Sequence, residues 1–288
     1  MAALFFALLS EANPWIRDLK ASPLKQQGHF RRFESDLHQI IVTGPGKLAM
    51  ASAVTEYCLS NQEQREQTGF QILNIGIAGS PNIANPVGDF FWINRIHDQS
   101  MDRDFFPERI LGKFPAKEAN LLTVDQPISR HFTPKFVQLS ESELSQWDLI
   151  DMEASGFFYA ASLYVPIHQI FVGKMVSDHL EGTMCSPKEV ESIVESHIET
   201  VKEFINITDS ELADRLEKPI DFSDEINFAK HLQFTESMLH DLKDSLMYFH
   251  LRYPKQKIPR PQFETLQENW QKRDAKNYLK TWKALLYA

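Results

Sequence analysis

The sequence predicts an α/β fold on a mostly parallel central sheet, continued by a helical segment at its C-terminal end. Three observations carry that expectation. Apolar runs of strand length alternate with stretches of helical periodicity, the pattern of βαβ units. The run Phe70 to Ser80 is nearly continuously apolar, as a strand buried on both faces must be. Beyond about residue 210 the texture changes to long apolar stripes interrupted by prolines.

In chain order, AALFFALL (2–9) predicts a first strand and HQIIVTG (38–44) another. Gly44-Pro45-Gly46 marks a turn, and KLAMASAVTEYCL after it places Ala51, Val54 and Cys58 on one helical face. FQILNIGIAGS (70–80), DFFWINRI (89–96), WDLI (147–150) and IHQIFVGKMVSD (167–178) are further strand candidates. Ser186-Pro187-Lys188-Glu189 is a capping box with proline at the first helical position. Val190, Ile193, Val194, Val201 and Phe204 then recur at helical spacing, so this helix is expected to close the body near residue 207. The predicted organisation is an α/β domain over residues 1–210 and a helical extension over 211–288. In the extension Leu232, Leu239, Leu242, Leu246 and Phe249 form one stripe. Leu266, Trp270, Tyr278, Leu279, Trp282 and Leu286 form a second, beyond Pro254, Pro259 and Pro261, and together the two read as a helical hairpin.

Composition narrows the function. With 43% hydrophobic and 24% charged residues in 288, the chain holds enough apolar material for one large α/β domain or for one domain plus an appendage. No run of about 18 apolar residues is present, so no membrane span is predicted. The N-terminal MAALFFALLSEANP is apolar, but it lacks a basic flank and is interrupted at Ser10-Glu11. It reads as a buried strand rather than a secretion signal. Two cysteines, Cys58 and Cys185, indicate neither a disulfide framework nor a cysteine zinc site, and a cytoplasmic location is expected. The histidines show no H-E-x-x-H spacing, so no metal is expected. Gly44-Pro45-Gly46-Lys47 lacks the Walker spacing and the Rossmann glycine pattern is absent, so no cofactor is expected either.

A net charge of -9 argues against a nucleic-acid partner. The charge is uneven. Residues 252–288 hold 9 Lys/Arg against 3 Asp/Glu, a net +6, while the remainder carries -15. The basic C-terminal helices are expected to pack on the acidic body or on an unidentified partner.

Ligands of open parallel sheets bind beyond the carboxyl ends of the strands. Ser10-Glu11, Gly76-Ile77-Ala78-Gly79, Asp151-Met152-Glu153 and Ser177-Asp178 occupy such places. One acid at a strand end is commonly a helix cap. Acids at three strand ends are gathered by the fold into one neighbourhood.

IVTGPGKLAMASA, ILNIGIAGS, the Gly88-Asp89 turn, LIDMEASGFFYAA and KMVSD stand in the order and approximate spacing of the nucleoside phosphorylase superfamily. Over residues 2–207 the sequence most resembles the methylthioadenosine/S-adenosylhomocysteine nucleosidases and their purine-nucleosidase relatives. The resemblance implies a three-layer α/β sandwich around a mixed, mostly parallel, partly closed sheet. It also implies a small-molecule nucleoside as ligand and a homo-oligomer, a dimer being favoured. On this resemblance Glu153 hydrogen-bonds the ribose hydroxyls, with Met152 packing on the sugar. Asp178, with Ser177 beside it, hydrogen-bonds or protonates purine N7, and Glu11 positions or deprotonates the attacking water. Ile77, Ala78 and Gly79 form the strand end facing the substrate. Lys174 stands where the nucleosidases usually carry arginine, as a further catalytic candidate. LLTVDQPIS resembles the segment that sandwiches the base, with Pro127 and Ile128 in place and no aromatic residue.

These residue types suit cleavage of an N-glycosidic bond. The departing purine needs an acid, the cationic sugar needs an acceptor or anion nearby, and a nucleophile must be held on the opposite face. A carboxyl group acts as an acid near neutral pH only when burial favours its protonated form, so Asp178 is expected to be largely desolvated. Water or phosphate could be the nucleophile. Glu11 in the Leu9–Pro14 segment would repel phosphate, and Asn74, ahead of Ile75-Gly76, is neutral where phosphorylases use arginine. Hydrolysis is therefore the favoured expectation, with Arg17, Arg31 and Arg32 left as possible phosphate ligands. A nucleoside-binding or regulatory protein without turnover is the rival from another class.

Overall fold

A computed structural model describes residues 1–24, 28–65, 69–107, 117–131, 136–215, 220–261 and 270–287. The chain divides into two compact units, Met1–Ser210 and Glu211–Ala288. The strands are β1 (Ala2–Phe6), β2 (Ser22–Pro23), β3 (Arg31–Glu34), β4 (His38–Val42), β5 (Gln71–Gly79), β6 (Phe90–Asp98), β7 (Arg103–Phe105), β8 (Glu118–Thr123), β9 (Leu149–Asp151) and β10 (Ile170–Asp178). The helices before residue 216 are α1 (Leu9–Asp18), α2 (Lys47–Ser60), α3 (Gln62–Arg65), α4 (Glu141–Leu144), α5 (Ala154–Ala161), α6 (Pro187–Glu195) and α7 (Ile198–Arg215).

All ten strands join one sheet in the order β10-β6-β8-β9-β5-β1-β4-β3-β2, with β7 on β6. β5 runs parallel to both β1 and β10. β10 is also antiparallel to β6, β6 is parallel to β8 and β8 to β9, and β9 returns to β5 at the Gly79–Ile150 pair. The sheet is thereby partly closed on itself. Among the described residues five of the ten strand pairings are antiparallel, so the sheet is mixed. The antiparallel additions include β2, β3 and β7, which are short and carry exposed polar residues. Such strands show no apolar run to read from sequence.

Successive residues of a strand point to opposite faces, and β1 divides accordingly. Ala3 and Phe5 join an apolar cluster with Met50, Val54 and Tyr57 of α2 and Phe157 of α5. Ala2, Leu4 and Phe6 join a second cluster with Trp15 of α1, Val190 and Val194 of α6, and Val201 and Phe204 of α7. Burial on both faces goes with a continuously apolar β1 and a nearly apolar β5, whose Gln71 and Asn74 are buried as well. Among the described residues no helix is long and apolar enough to cross a membrane.

Local differences from the sequence expectation have identifiable causes. The first apolar run is strand only to Phe6, because the chain turns at Ala7-Leu8 and Leu9 starts α1. The buried stripe of α2 is Met50, Ala53, Val54, Tyr57 and Cys58, leaving Ala51 only partly covered. The helix expected from the Ser186 capping box breaks at Ser196-His197, where the His197 ring nitrogen sits 2.6 Å from the Gly88 carbonyl.

The second unit contains α8 (Ser223–His231), α9 (Glu236–Arg252) and α10 (Lys272–Leu286) around its own apolar cluster. Leu232, Leu239, Leu242, Leu246 and Phe249 pack there with Tyr278, Leu279, Trp282 and Leu286, and Trp270 is partly covered. Leu266 lies outside the described residues. Trp282 and Tyr278 donate to the carbonyls of Pro259 and Pro261, so polar edges of buried rings hold the proline-rich segment.

One glycine sets how closely α2 and α5 approach. A β-carbon at Gly156 would lie 2.2 Å from the Lys47 carbonyl oxygen, a backbone atom that cannot swing aside. Gly156→Ala is expected to lower stability by about 1–3 kcal/mol. A lower urea midpoint at unchanged slope is the expected readout, and an unchanged midpoint would contradict the packing.

Candidate active site

The strand ends surround a cavity of about 170 Å³. Its lining includes Glu11, Ile77, Ala78, Gly79, Pro127, Ile128, Met152, Glu153, Ser177 and Asp178, so all the sequence candidates but Lys174 are on its wall. The lining is largely apolar with a few convergent acids, the usual character of a small-molecule site.

Glu11 is the third residue of α1 and is buried. One carboxylate oxygen accepts from the Leu8 amide (2.8 Å) at the helix start, and the other from the Ile77 amide of β5 (2.9 Å). A helix N-terminus favours a carboxylate, which fixes this acid against the strand end. Burial raises its pKa, and Lys174 and the two amides offset that only in part.

Asp151 ends β9 and Glu153 caps α5, with Met152 between them. Asp151 is fully engaged. It accepts from Thr123 Oγ1 (2.8 Å) and the Ala154 amide (2.9 Å), and Lys174 Nζ lies 2.9 Å from its Oδ2. Glu153 Oε1 accepts from the Gly46 amide at 2.7 Å. Burial, and next the charge of Asp151, push the Glu153 carboxyl up to about 7.

Lys174 is placed differently from the expectation. It is not on the cavity wall but forms a buried ion pair with Asp151, in which the two side chains are 2% and 0% exposed. Burial disfavours its ammonium, yet Asp151, Glu153 and Glu11 outweigh that and hold its pKa above the ordinary value. It therefore acts on the cavity through the field of one buried cation among three carboxylates.

Ser177-Asp178 ends β10, where the register with β5 shifts between Val176 and Asp178. Such irregularities re-aim side chains beside sites. The Ser177 hydroxyl donates to Asp178 Oδ2 (2.6 Å) and the Leu180 amide to Oδ1 (2.8 Å). Asp178, the last residue of β10 and on the cavity wall, is half-buried and not largely desolvated.

Phe136 also lines the cavity, so an aromatic ring is present although the Pro127-Ile128 segment lacks one. It is held beside that segment by two backbone bonds, Val137 N to Pro127 O (2.8 Å) and Ser129 N to Val137 O (3.0 Å). Nothing local in the sequence couples residues 127–129 to 136–137. Pro45, Leu180 and Met184 complete further parts of the wall. Among the described lining residues none is Lys or Arg. Arg17 pairs with Glu191, Arg32 pairs with Glu56, and neither these nor Arg31 lines the cavity. Asn74 is buried within the sheet and donates to the Phe5 carbonyl.

No protein-family model and no curated protein sequence matches the chain. Solved structures share its fold. A futalosine hydrolase mutant of Helicobacter pylori superposes with a TM-score of 0.53 at 15% identity, over 71% of this chain and 98% of that one. The 5′-methylthioadenosine/S-adenosylhomocysteine nucleosidase of the same organism gives 0.53 at 14% identity, over 71% and 97%. The 5′-methylthioadenosine nucleosidase of Arabidopsis thaliana gives 0.54 at 15% identity, over 71% and 94%. These neighbours belong to the nucleoside phosphorylase superfamily, the one the sequence resembles, and at such identity the fold is what is shared.

The Glu153 carboxyl provides a test of the site's electrostatics. Its folded value of about 7 lies above the ordinary 4.5, so its stabilising contribution is complete below about pH 4.5 and lost as pH rises through 7. Glu153→Gln, which keeps an acceptor for Gly46, is expected to change stability little at about pH 5. At about pH 8 it should stabilise by about 3 kcal/mol. Urea unfolding at the two pH values measures this, and an equal effect at both would refute the shift.

Proposed function

We propose that the protein hydrolyses the N-glycosidic bond of a purine nucleoside or thionucleoside, releasing the free base. The observation that carries this reading is the convergence of Glu11, Glu153 and Asp178 on one largely apolar cavity without a described basic wall. The sugar lies along Met152 and Glu153, and the base between the Pro127-Ile128 segment, Phe136 and Asp178. As the bond from the sugar's anomeric carbon to the purine breaks, the carbon becomes cationic and Glu153 offsets that charge. A water held by Glu11 adds its oxygen to that carbon and gives its proton to Glu11. Asp178, half-buried in the free protein and desolvated as the bound base covers it, donates a proton to the departing purine.

Water rather than phosphate is the nucleophile in this reading because Glu11 is pinned by the Leu8 and Ile77 amides where an anion would have to approach. Like charges brought together at short range in a buried site are strongly disfavoured. A second reading, a nucleoside-binding protein without turnover, is favoured by Asp178 having both oxygens already engaged.

Base release from adenosine, inosine and methylthioadenosine, with and without phosphate, separates these readings. Release is expected without phosphate, and strict phosphate dependence would replace hydrolysis by phosphorolysis. Asp178→Asn is expected to lower the rate roughly 10²- to 10⁴-fold while purine binding persists. Absence of turnover with every nucleoside, alongside measurable purine binding, would establish the second reading. Glu11→Gln should lower kcat more than it raises KM, since the attacking water is engaged only as the transition state forms.

A further inference from the structure

Lys47 lies off the cavity wall, at the first position of α2, directly after Gly46. Gly46 has a φ of +97°, a conformation that glycine adopts without strain and that leaves its turn soft. Yet its amide is the hydrogen-bond donor that holds Glu153. Something must keep that amide aimed.

The side chain of Lys47 closes a ring around this contact. Its ammonium bonds both oxygens of Asp98 at 3.0 Å, and Asp98 Oδ2 accepts from the Ser155 hydroxyl at 2.6 Å. Ser155 lies two residues beyond Glu153, and Lys47 one beyond Gly46, so the chain itself completes the circuit. Asp98 is fully buried and is fixed further by the amides of Ser100 and Met101. Lys47 also reaches Asp125 at 2.9 Å, on the segment whose Val124, Pro127 and Ile128 line the same cavity as Glu153. The close approach of the Lys47 carbonyl to Gly156 holds the same turn from its backbone side.

We infer that Lys47 is a positioning residue, whose ammonium locks the Gly46 amide onto Glu153 and ties the Glu153 side of the cavity to the Pro127-Ile128 side through Asp125. This rests on the nucleoside reading for its consequence, but the ring itself is a statement about one amide. Lys47 touches no reacting atom. It sets where Glu153 can point, and through Asp125 how far the two walls can part.

Two measurements on the full chain test it together. Hydrogen exchange at the Gly46 amide reports the ring, and kcat and KM for a nucleoside that the wild type cleaves report its consequence. Lys47→Met is expected to speed Gly46 exchange and lower kcat/KM roughly tenfold or more, within the hundredfold that a displacement of about 1 Å can cause. Lys47→Arg is expected to restore most of both, whereas a general loss of packing would not be rescued. Should Lys47→Met fail to fold, Ser155→Ala and the double variant Lys47→Met/Asp98→Asn open the ring without stranding a buried charge. Unchanged Gly46 exchange in a folded variant overturns the ring, and faster exchange with undiminished kcat/KM overturns its role. Lack of any cleavage by the wild type would sink the proposed function instead, with Gly46 exchange alone then deciding the ring.

Discussion

A single buried cation governs the interior of this site. Lys174 sits on β10 among Asp151, Glu153 and Glu11, all of them buried. Desolvating one ammonium and three carboxylates is costly, and attraction offsets that cost only where geometry and hydrogen bonding are both good. Asp151 meets both conditions through Lys174, Thr123 and the Ala154 amide. Glu11 and Glu153 do not share the cation equally, and the burial of each is left partly uncompensated. Burial thereby raises both carboxyls, that of Glu153 to about 7.

The same arrangement explains why the acids are held by backbone amides. Leu8, Ile77 and Gly46 each donate to a carboxylate oxygen. Amides fix position without adding full charge, so they orient the acids and leave the field of Lys174 dominant. A second cation, Lys47, is spent on Asp98 and Asp125 and does not enter the cavity. In Asp98 burial is overcome by the Ser155 hydroxyl and the Lys47 ammonium, which hold its carboxyl at about 2 and keep it charged. One buried acid is thus a permanent anchor, while burial raises the carboxyls of the other two, Glu11 and Glu153.

The architecture supplies these contrasts by placing strand ends side by side. β5, β9 and β10 bring Ile77, Asp151 and Asp178 to one cavity, and the register of β10 with β5 shifts just before Asp178. Asp178 meets solvent while Lys174, four residues earlier on the same strand, does not.

Much of this was legible in the sequence. Strand-length, largely apolar runs locate β1, β4, β5, β6, β9 and β10, since strands covered on both faces are mostly apolar. Acids directly after such runs identified Glu11, Glu153 and Asp178, because chain polarity alone puts them at strand ends. Local pattern could not show that β2, β3 and β7 add antiparallel edges, for short polar strands exist only by pairing. It could not show that Phe136 folds against Pro127-Ile128, that Lys174 serves Asp151, or that Asp178 stays half-buried. Residue order and periodicity determine which elements form and which residues stand at their ends. Desolvation, charge pairing and the distances between acids depend on elements far apart in sequence, and only the tertiary structure decided them.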